Sequence, residues 1–249
     1  MTAVKFYPIN LNLKDKNVLI VGAGKVALRK FKRLLQTGAQ IKIIAPEFNQ
    51  GFKVYLNQES NEHIFLKRKF REKDLIGQFL VFAATDNSEL NKRIALLARG
   101  KNILVNIIDS AELSNFTVPA AVTRGELLLT ASSGSNLPAL SKNIKEKLKQ
   151  EFGLEYQILL ELMKAKRPQI IKEIDEVSTR REIFKQLASD QFLNRIREII
   201  KEFNLDLKNN YAVDQINDQN SYIKDKELQK IYLKIETEIN KIITDLRDD

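Results

Sequence analysis

The chain has 249 residues, enough for one large domain or two smaller ones, and its 43% apolar content is ample for a core. It has no cysteine, which excludes disulfides, thiolate metal sites and Cys-His chemistry, and this composition fits a cytoplasmic location. A formal net charge of +9 points to polyanionic partners or to a lysine-rich solubilising surface; the basic residues are spread along the chain and mixed with acids, no nucleic-acid-binding motif stands out, and no apolar run approaches a membrane span, so neither nucleic acid nor membrane is expected as a partner.

Lys5 to Leu13 reads as an extended lead-in, with Phe6, Tyr7, Ile9, Leu11 and Leu13 available to cover a core edge. Lys14-Asp15-Lys16-Asn17 is the turn into the first strand. Val18-Leu19-Ile20-Val21 is an apolar run of the kind that forms a buried parallel strand, and Gly22-Ala23-Gly24-Lys25-Val26-Ala27 follows it. Beyond lies a helical pattern, with Ala27, Leu28, Phe31, Leu34 and Leu35 on one face and Lys30, Lys32 and Arg33 pointing elsewhere. This is strand, tight turn and helix with G-x-G-x-x-A at the junction. Gly22 permits the turn, Gly24 lets the backbone approach a pyrophosphate, Ala27 lets the helix pack close, and the helix N-terminus offers free N–H groups to phosphates. The alternative is a glycine-rich turn over an empty crevice.

Gly38 is a candidate C-cap, and Gln40 to Ala45 is the second strand. Glu47, just past it, either holds the ribose diol of a dinucleotide or is a solvated loop acid; it stands a little late for the first role. His63 to Lys67 is the third strand, and His63, between polar residues and without a second ligand to share a metal, reads as a surface residue. With His63 set aside, no Ser-His-Asp set remains. Gln78 to Ala84 is the fourth strand, running into Thr85-Asp86-Asn87 and a helix with Leu90, Ile94 and Leu97 inward. Ile103 to Ile108 is the fifth, ending at Asp109. Alternating strands and helices make an α/β fold with a Rossmann-type parallel sheet, in which ligands lie outside the carboxyl ends of the strands. The Gly22 turn, Thr85 and Asp109 are therefore expected to face one crevice. A carboxylate at Asp109 can serve as general base or acid, bind a metal transiently, or simply cap a turn.

After residue 110 the rhythm changes. Phe116 to Val122 and Glu126 to Ser132 read as strands joined at Thr123-Arg124-Gly125. Ser132-Ser133-Gly134-Ser135-Asn136-Leu137-Pro138 then feeds a helix, with Pro138 in the first turn and Ser135 or Asn136 as cap; the start either favours an anion or is plain capping. From about Glu151 the pattern is helical throughout, with Asn204 to Ser221 a polar linker or mobile loop. The last helix carries a narrow seam of Leu228, Ile231, Ile235, Ile239, Ile242 and Leu246, which packs either within the chain or on a second subunit.

Tyr7-Pro8, Gly22 through Lys30, Ala83-Ala84-Thr85-Asp86-Asn87, Val105-Asn106-Ile107-Ile108-Asp109, Phe116-Thr117-Val118-Pro119-Ala120 and Ser132-Ser133-Gly134 through Pro138-Ala139-Leu140 occur in that order. Over roughly residues 5 to 150 the set resembles the precorrin-2 dehydrogenase family of siroheme synthesis, which includes the bifunctional dehydrogenase–ferrochelatase and the N-terminal half of siroheme synthase. The resemblance implies NAD-dependent oxidation of precorrin-2 to sirohydrochlorin and, in some members, Fe²⁺ insertion to give siroheme, with Fe²⁺ as substrate. It implies a homodimer joined through the middle segment, and so a division into a dinucleotide-binding domain (1–112), a small α+β dimerisation and substrate segment (113–150) and a C-terminal helical domain (151–249). It matches the catalytic aspartate to Asp109 and a serine modified in one branch to Ser133, beside Gly134; Ser135 stands where the family usually has a second glycine. The cofactor set becomes Gly22, Ala23, Gly24, Lys25, Val26, Glu47, Thr85, Asp86, Val105 and Asn106. Arg124 and Lys142 are candidates to hold the carboxylates of the tetrapyrrole. The rival function is an NAD(H)-sensing regulatory module without turnover.

Overall fold

Five short apolar runs pair into one parallel sheet. They are β1 (Asn17–Val21), β2 (Gln40–Ala45), β3 (Ile64–Lys67), β4 (Leu80–Ala83) and β5 (Leu104–Ile107), in the order β3-β2-β1-β4-β5. In the computed structural model, residues 6–56, 63–108, 110–134, 137–203 and 226–248 are described. The register sets Val18 beside Ile41 and Leu80, Lys42 beside Ile64, and Leu80 beside Leu104. Side chains alternate between the faces, and both faces are buried, which is why the strands read as near-continuous apolar runs. Val18, Ile20, Ile41, Ile43, Leu80 and Phe82 face helix α1 (Lys25–Leu34); Leu19, Val21, Ile44, Val81, Ala83, Val105 and Ile107 face helix α3 (Ser88–Arg99). On the α1 side, Phe31 is the centre of an aromatic cluster with Phe52, Tyr55 and Phe65, the short helix α2 (Lys53–Leu56) carrying Tyr55.

The strand order reverses between β1 and β4, so the crevice of this sheet opens at their carboxyl ends. The free edge of β5 is closed by the chain doubling back. Asn115 donates its N–H to the Val105 carbonyl and accepts from the Val105 N–H through its side chain, at 3.0 and 2.7 Å, while Ser114 Oγ accepts from Ile107 N–H at 2.8 Å. Side chains stand in for a sixth strand, and the edge offers no template for pairing.

Of the described residues of the lead-in, only Leu13 is buried. Tyr7 and Ile9 are 87% and 65% exposed, which corrects the expectation that they cover a core edge. The chain turns at Lys14-Asp15, where Asp15 takes φ +60° and bonds the Gly38 carbonyl, so Leu13 is the residue carried against the sheet. Gly38 itself is left-handed at φ +68°, as a C-cap requires.

The chain divides into two compact units, Met1–Val118 with the sheet and Pro119–Asp249. The second begins with the hairpin β6 (Ala120–Arg124) and β7 (Leu127–Ala131), joined by the two-residue loop Gly125-Glu126 with Gly125 at φ +58°. The first of these strands starts later than its sequence suggests, because Phe116 is held in the sheet unit, its carbonyl accepting from Asn106 and its ring against Phe82. Helices α4 (Pro138–Glu151), α5 (Leu154–Glu173), α6 (Val177–Leu187), α7 (Asp190–Glu202) and α8 (Lys226–Asp248) follow. Ile231, Ile235 and Ile239 of α8 are fully buried with Ile158, Ile183 and Ile196, so the seam packs within the chain. The expected linker at Asn204 to Ser221 lies outside the described residues.

Candidate active site

The crevice is built from the turns that follow β1, β2, β4 and β5. Gly22 has φ +102°, and a Cβ there would overlap the carbonyl of Ala84, lying 2.6 Å from its carbon. Two backbone bonds fix this closeness: Gly22 N–H to Ile44 O at 2.8 Å and Ala84 N–H to Val21 O at 2.7 Å. Only glycine fits, on both conformational and steric grounds. Gly24 differs: its φ of −77° and ψ of −172° suit any residue, and a Cβ would meet nothing within 4 Å. It is the N-cap of α1, no side chain caps this helix, and its first turn holds no acid. The N–H groups of the first turn thus face open room, where an anion is favoured. Lys25 is exposed at the helix start, Val26 is half-buried, and Ala27 is fully buried against the sheet.

The turn after β2 is tied to the glycine turn by Asn49 N–H bonded to Ala23 O at 3.0 Å. Glu47 is exposed in that loop. After β4, Thr85 Oγ1 donates to Asn91 Oδ1 at 2.7 Å and Asn91 returns an N–H to Thr85 O at 3.0 Å. Asn87 caps α3 by accepting from Leu90 N–H at 2.9 Å. Asn91, 2% exposed, is a residue that sequence reasoning missed; its signal is a lone amide on a helix face otherwise made of Ile94, Ala95 and Ala98. Asp86 is exposed between them.

Val105 is buried and both its backbone groups are engaged by Asn115, so it shapes the sheet. Asn106 is half-buried on the α1 side and bonds the Phe116 carbonyl at 3.1 Å. Asp109 lies outside the described residues. Its flanks are anchored at the strand ends: Ile108 N–H bonds Ala83 O at 3.2 Å and Ser110 pairs with Ile107. Lys30 does not point away from the core as the helix pattern suggests. It is half-buried, with its ammonium 4.9 Å from the centre of the Phe82 ring. Burial, then Arg33 and Arg29, push its pKa down to about 8. His63 also departs from expectation: it is partly buried, edge-on to Phe31 at 5.6 Å, because α1 presents that ring to the start of β3.

In the second unit, Ser133 Oγ donates to Leu137 O at 2.9 Å and Gly134 takes φ +64°. The N-cap of α4 is Leu137, without a side-chain bond, with Pro138 beginning the helix; Ser135 and Asn136, expected as caps, lie outside the described residues. Lys142 is exposed on α4. Arg124 is 7% exposed and donates to the carbonyls of Phe152, Lys149 and Thr123 at 2.8, 3.1 and 3.0 Å. These bonds close the C-terminus of α4. Among the described residues no group of three or more His, Asp or Glu side chains is arranged to hold a metal, and no helix is long and apolar enough to cross a membrane.

Residues 9–120 match a family described as "Putative NAD(P)-binding". The chain is 32% identical over 211 residues to siroheme synthase of Vesicomyosocius okutanii, covering 83% of this chain and 45% of that one. With siroheme synthase of Chromobacterium violaceum the identity is 33% over 178 residues, 72% of this chain and 37% of the other. The chain thus spans less than half the length of these relatives. The solved structure of SirC, precorrin-2 dehydrogenase, shares its fold, with a TM-score of 0.65 at 24% identity over 93% of this chain and 100% of the other.

Proposed function

We propose that the chain belongs with the siroheme synthase N-terminal-like proteins, which it resembles over part of their length, and that it oxidises precorrin-2 to sirohydrochlorin with NAD⁺. The observation that carries the cofactor half of this reading is the room over Gly24: a Cβ-sized space and more, at the start of a helix with neither a capping side chain nor an acid in its first turn. That cradle fits a pyrophosphate. Gly22, Ala23, Gly24, Lys25 and Val26 would hold it, Glu47 would take the ribose diol and so favour NAD over NADP, and Thr85 and Asp86 would border the nicotinamide end. A nicotinamide bound there supplies the acceptor for a hydride leaving a ring carbon of the substrate.

What the chain itself must add is position and a base. Asp109 takes the proton that departs as the hydride leaves, so that two hydrogens are lost as hydride and proton. The Thr85–Asn91 pair fixes the loop after β4, and the Ser114–Asn115 clamp fixes β5, so neither wall of the crevice needs to reorganise on binding. Asp109→Ala tests this assignment: NAD⁺ affinity is retained and NADH production is lost. An unchanged rate would remove Asp109 as the base. If Asp109 also accepts pyrrole protons during metal insertion, the same variant loses siroheme formation from sirohydrochlorin and Fe²⁺.

The middle segment supports pairing of two copies. Leu128 of β7 and Leu137, Leu140 and Ile144 at the start of α4 are all exposed, at 43%, 54%, 46% and 38%. A group of exposed branched side chains in one short segment is a mark of a subunit contact.

A further inference from the structure

Among the described residues Lys30 has no counter-charge. None of the ion pairs among the described residues includes it, nor does it belong to those with further partners. Its neighbours in charge are Arg29 and Arg33 of its own helix, and both repel it. The other groups it meets are aromatic: its ammonium lies over Phe82 of β4, whose ring packs at 5.7 Å against Phe116. Phe82 pairs in register with Asn106, whose amide bonds the Phe116 carbonyl. The ring attracts the ammonium, but a half-buried cation repelled by Arg29 and Arg33 and without a carboxylate among the described residues is one that an anion would stabilise. It stands on the flank of α1 that also carries Val26, one helical turn nearer the glycine turn.

We propose that Lys30 receives a carboxylate of the substrate against the Phe82–Phe116 face of the sheet, and so selects for a polycarboxylate tetrapyrrole. The inference rests on the precorrin-2 reading above and adds to it the group that recognises the substrate's acidic side chains. A tetrapyrrole brings what this place lacks, a carboxylate for the ammonium, while Phe82, 4% exposed in the core, is already covered and only the partly buried Phe116 is open to a ring edge. Burial first, then Arg33 and Arg29, depress the Lys30 pKa, and a carboxylate beside the ammonium would raise it again.

The experiment uses the full chain and uroporphyrin, a stable porphyrin with eight carboxylates, as the probe, with binding followed by its fluorescence. Lys30→Met, Lys30→Arg and, as a control for general charge, Lys32→Met are compared with the wild type, and NAD⁺ affinity is measured in parallel. Loss of one charge-assisted contact predicts uroporphyrin binding about tenfold or more weaker in Lys30→Met. Binding stays close to wild type in Lys30→Arg and Lys32→Met, with NAD⁺ affinity unchanged in all. The thermal midpoint of ligand-free Lys30→Met at neutral pH is equal to or above that of the wild type, which a structural lysine would not allow. Equal uroporphyrin binding by Lys30→Met and wild type, or a lowered midpoint, overturns the Lys30 assignment alone. A wild type that binds NAD⁺ but no uroporphyrin overturns this inference together with the tetrapyrrole reading.

Discussion

Gly24→Ala separates the cofactor from the fold. The backbone at Gly24 is extended, and a Cβ meets no protein atom within 4 Å. Two small stability effects oppose each other: alanine is a poorer N-cap than glycine by roughly 0.5–1 kcal/mol, and losing a glycine lowers unfolded-chain entropy by about 0.4–1 kcal/mol. They nearly cancel, so the thermal midpoint moves by no more than about 2–4 °C for a chain of this size. Dinucleotide binding does not escape. The new methyl fills the space in which a phosphate would approach the first N–H groups of α1, and each charge-assisted hydrogen bond displaced is worth about 1.5–3 kcal/mol. NAD⁺ affinity therefore falls by roughly 10- to 100-fold, read by titration calorimetry beside a melting curve of the free protein. Wild-type affinity in a folded Gly24→Ala variant would refute the placement of the pyrophosphate, and a variant that unfolds would refute the claim that the space is open.

Gly22→Ala behaves oppositely: a left-handed residue costs about 1–2 kcal/mol and its Cβ overlaps the Ala84 backbone, so a denaturant midpoint falls by that much or more before any ligand is added. Asn91→Ala leaves Thr85 without its main partner and costs about 1–3 kcal/mol in the same assay. If the middle segment joins two copies as proposed, the parent chain scatters light as a dimer and Leu140→Asp with Ile144→Asp as a monomer. Ligand-free Lys30→Met is the more stable protein below about pH 8; the wild-type amine, lowered from 10.5 to about 8 in the fold, is discharged first in the native state, so wild-type stability rises between those values and the gap closes. A gap that widens with pH would contradict the assignment of Lys30 as a cation lacking a counter-charge.

The sheet was legible because its strands are buried on both faces and its glycines sit at turns. The span Gln40–Ala45 and the G-x-G-x-x-A junction follow from run length and spacing alone. What escaped has no period. Ser114 and Asn115 close the β5 edge through side-chain bonds to backbone, which no alternation announces. Arg124 reads as an available cation next to a turn glycine, yet the end of α4, 25 to 28 residues later, takes its donors. Lys30 sits on a polar-looking face of α1, but Phe82 of β4 comes up beneath it. His63 follows polar Asn61 and Glu62, and its burial depends on Phe31 from a different element. The Ser114 and Asn115 bonds span only 7 and 10 residues but depend on side chains meeting backbone; the others are tertiary contacts between segments far apart in sequence, where local pattern carries no information.

One reaction tests the dehydrogenase assignment most directly. Anaerobic incubation of the chain with enzymatically made precorrin-2 and NAD⁺ is followed by absorption spectroscopy. The account predicts NADH and the sirohydrochlorin spectrum appearing together in equal amounts, and neither without NAD⁺. Tight NAD⁺ binding with an unchanged precorrin-2 spectrum would contradict it and identify the chain as a dinucleotide sensor.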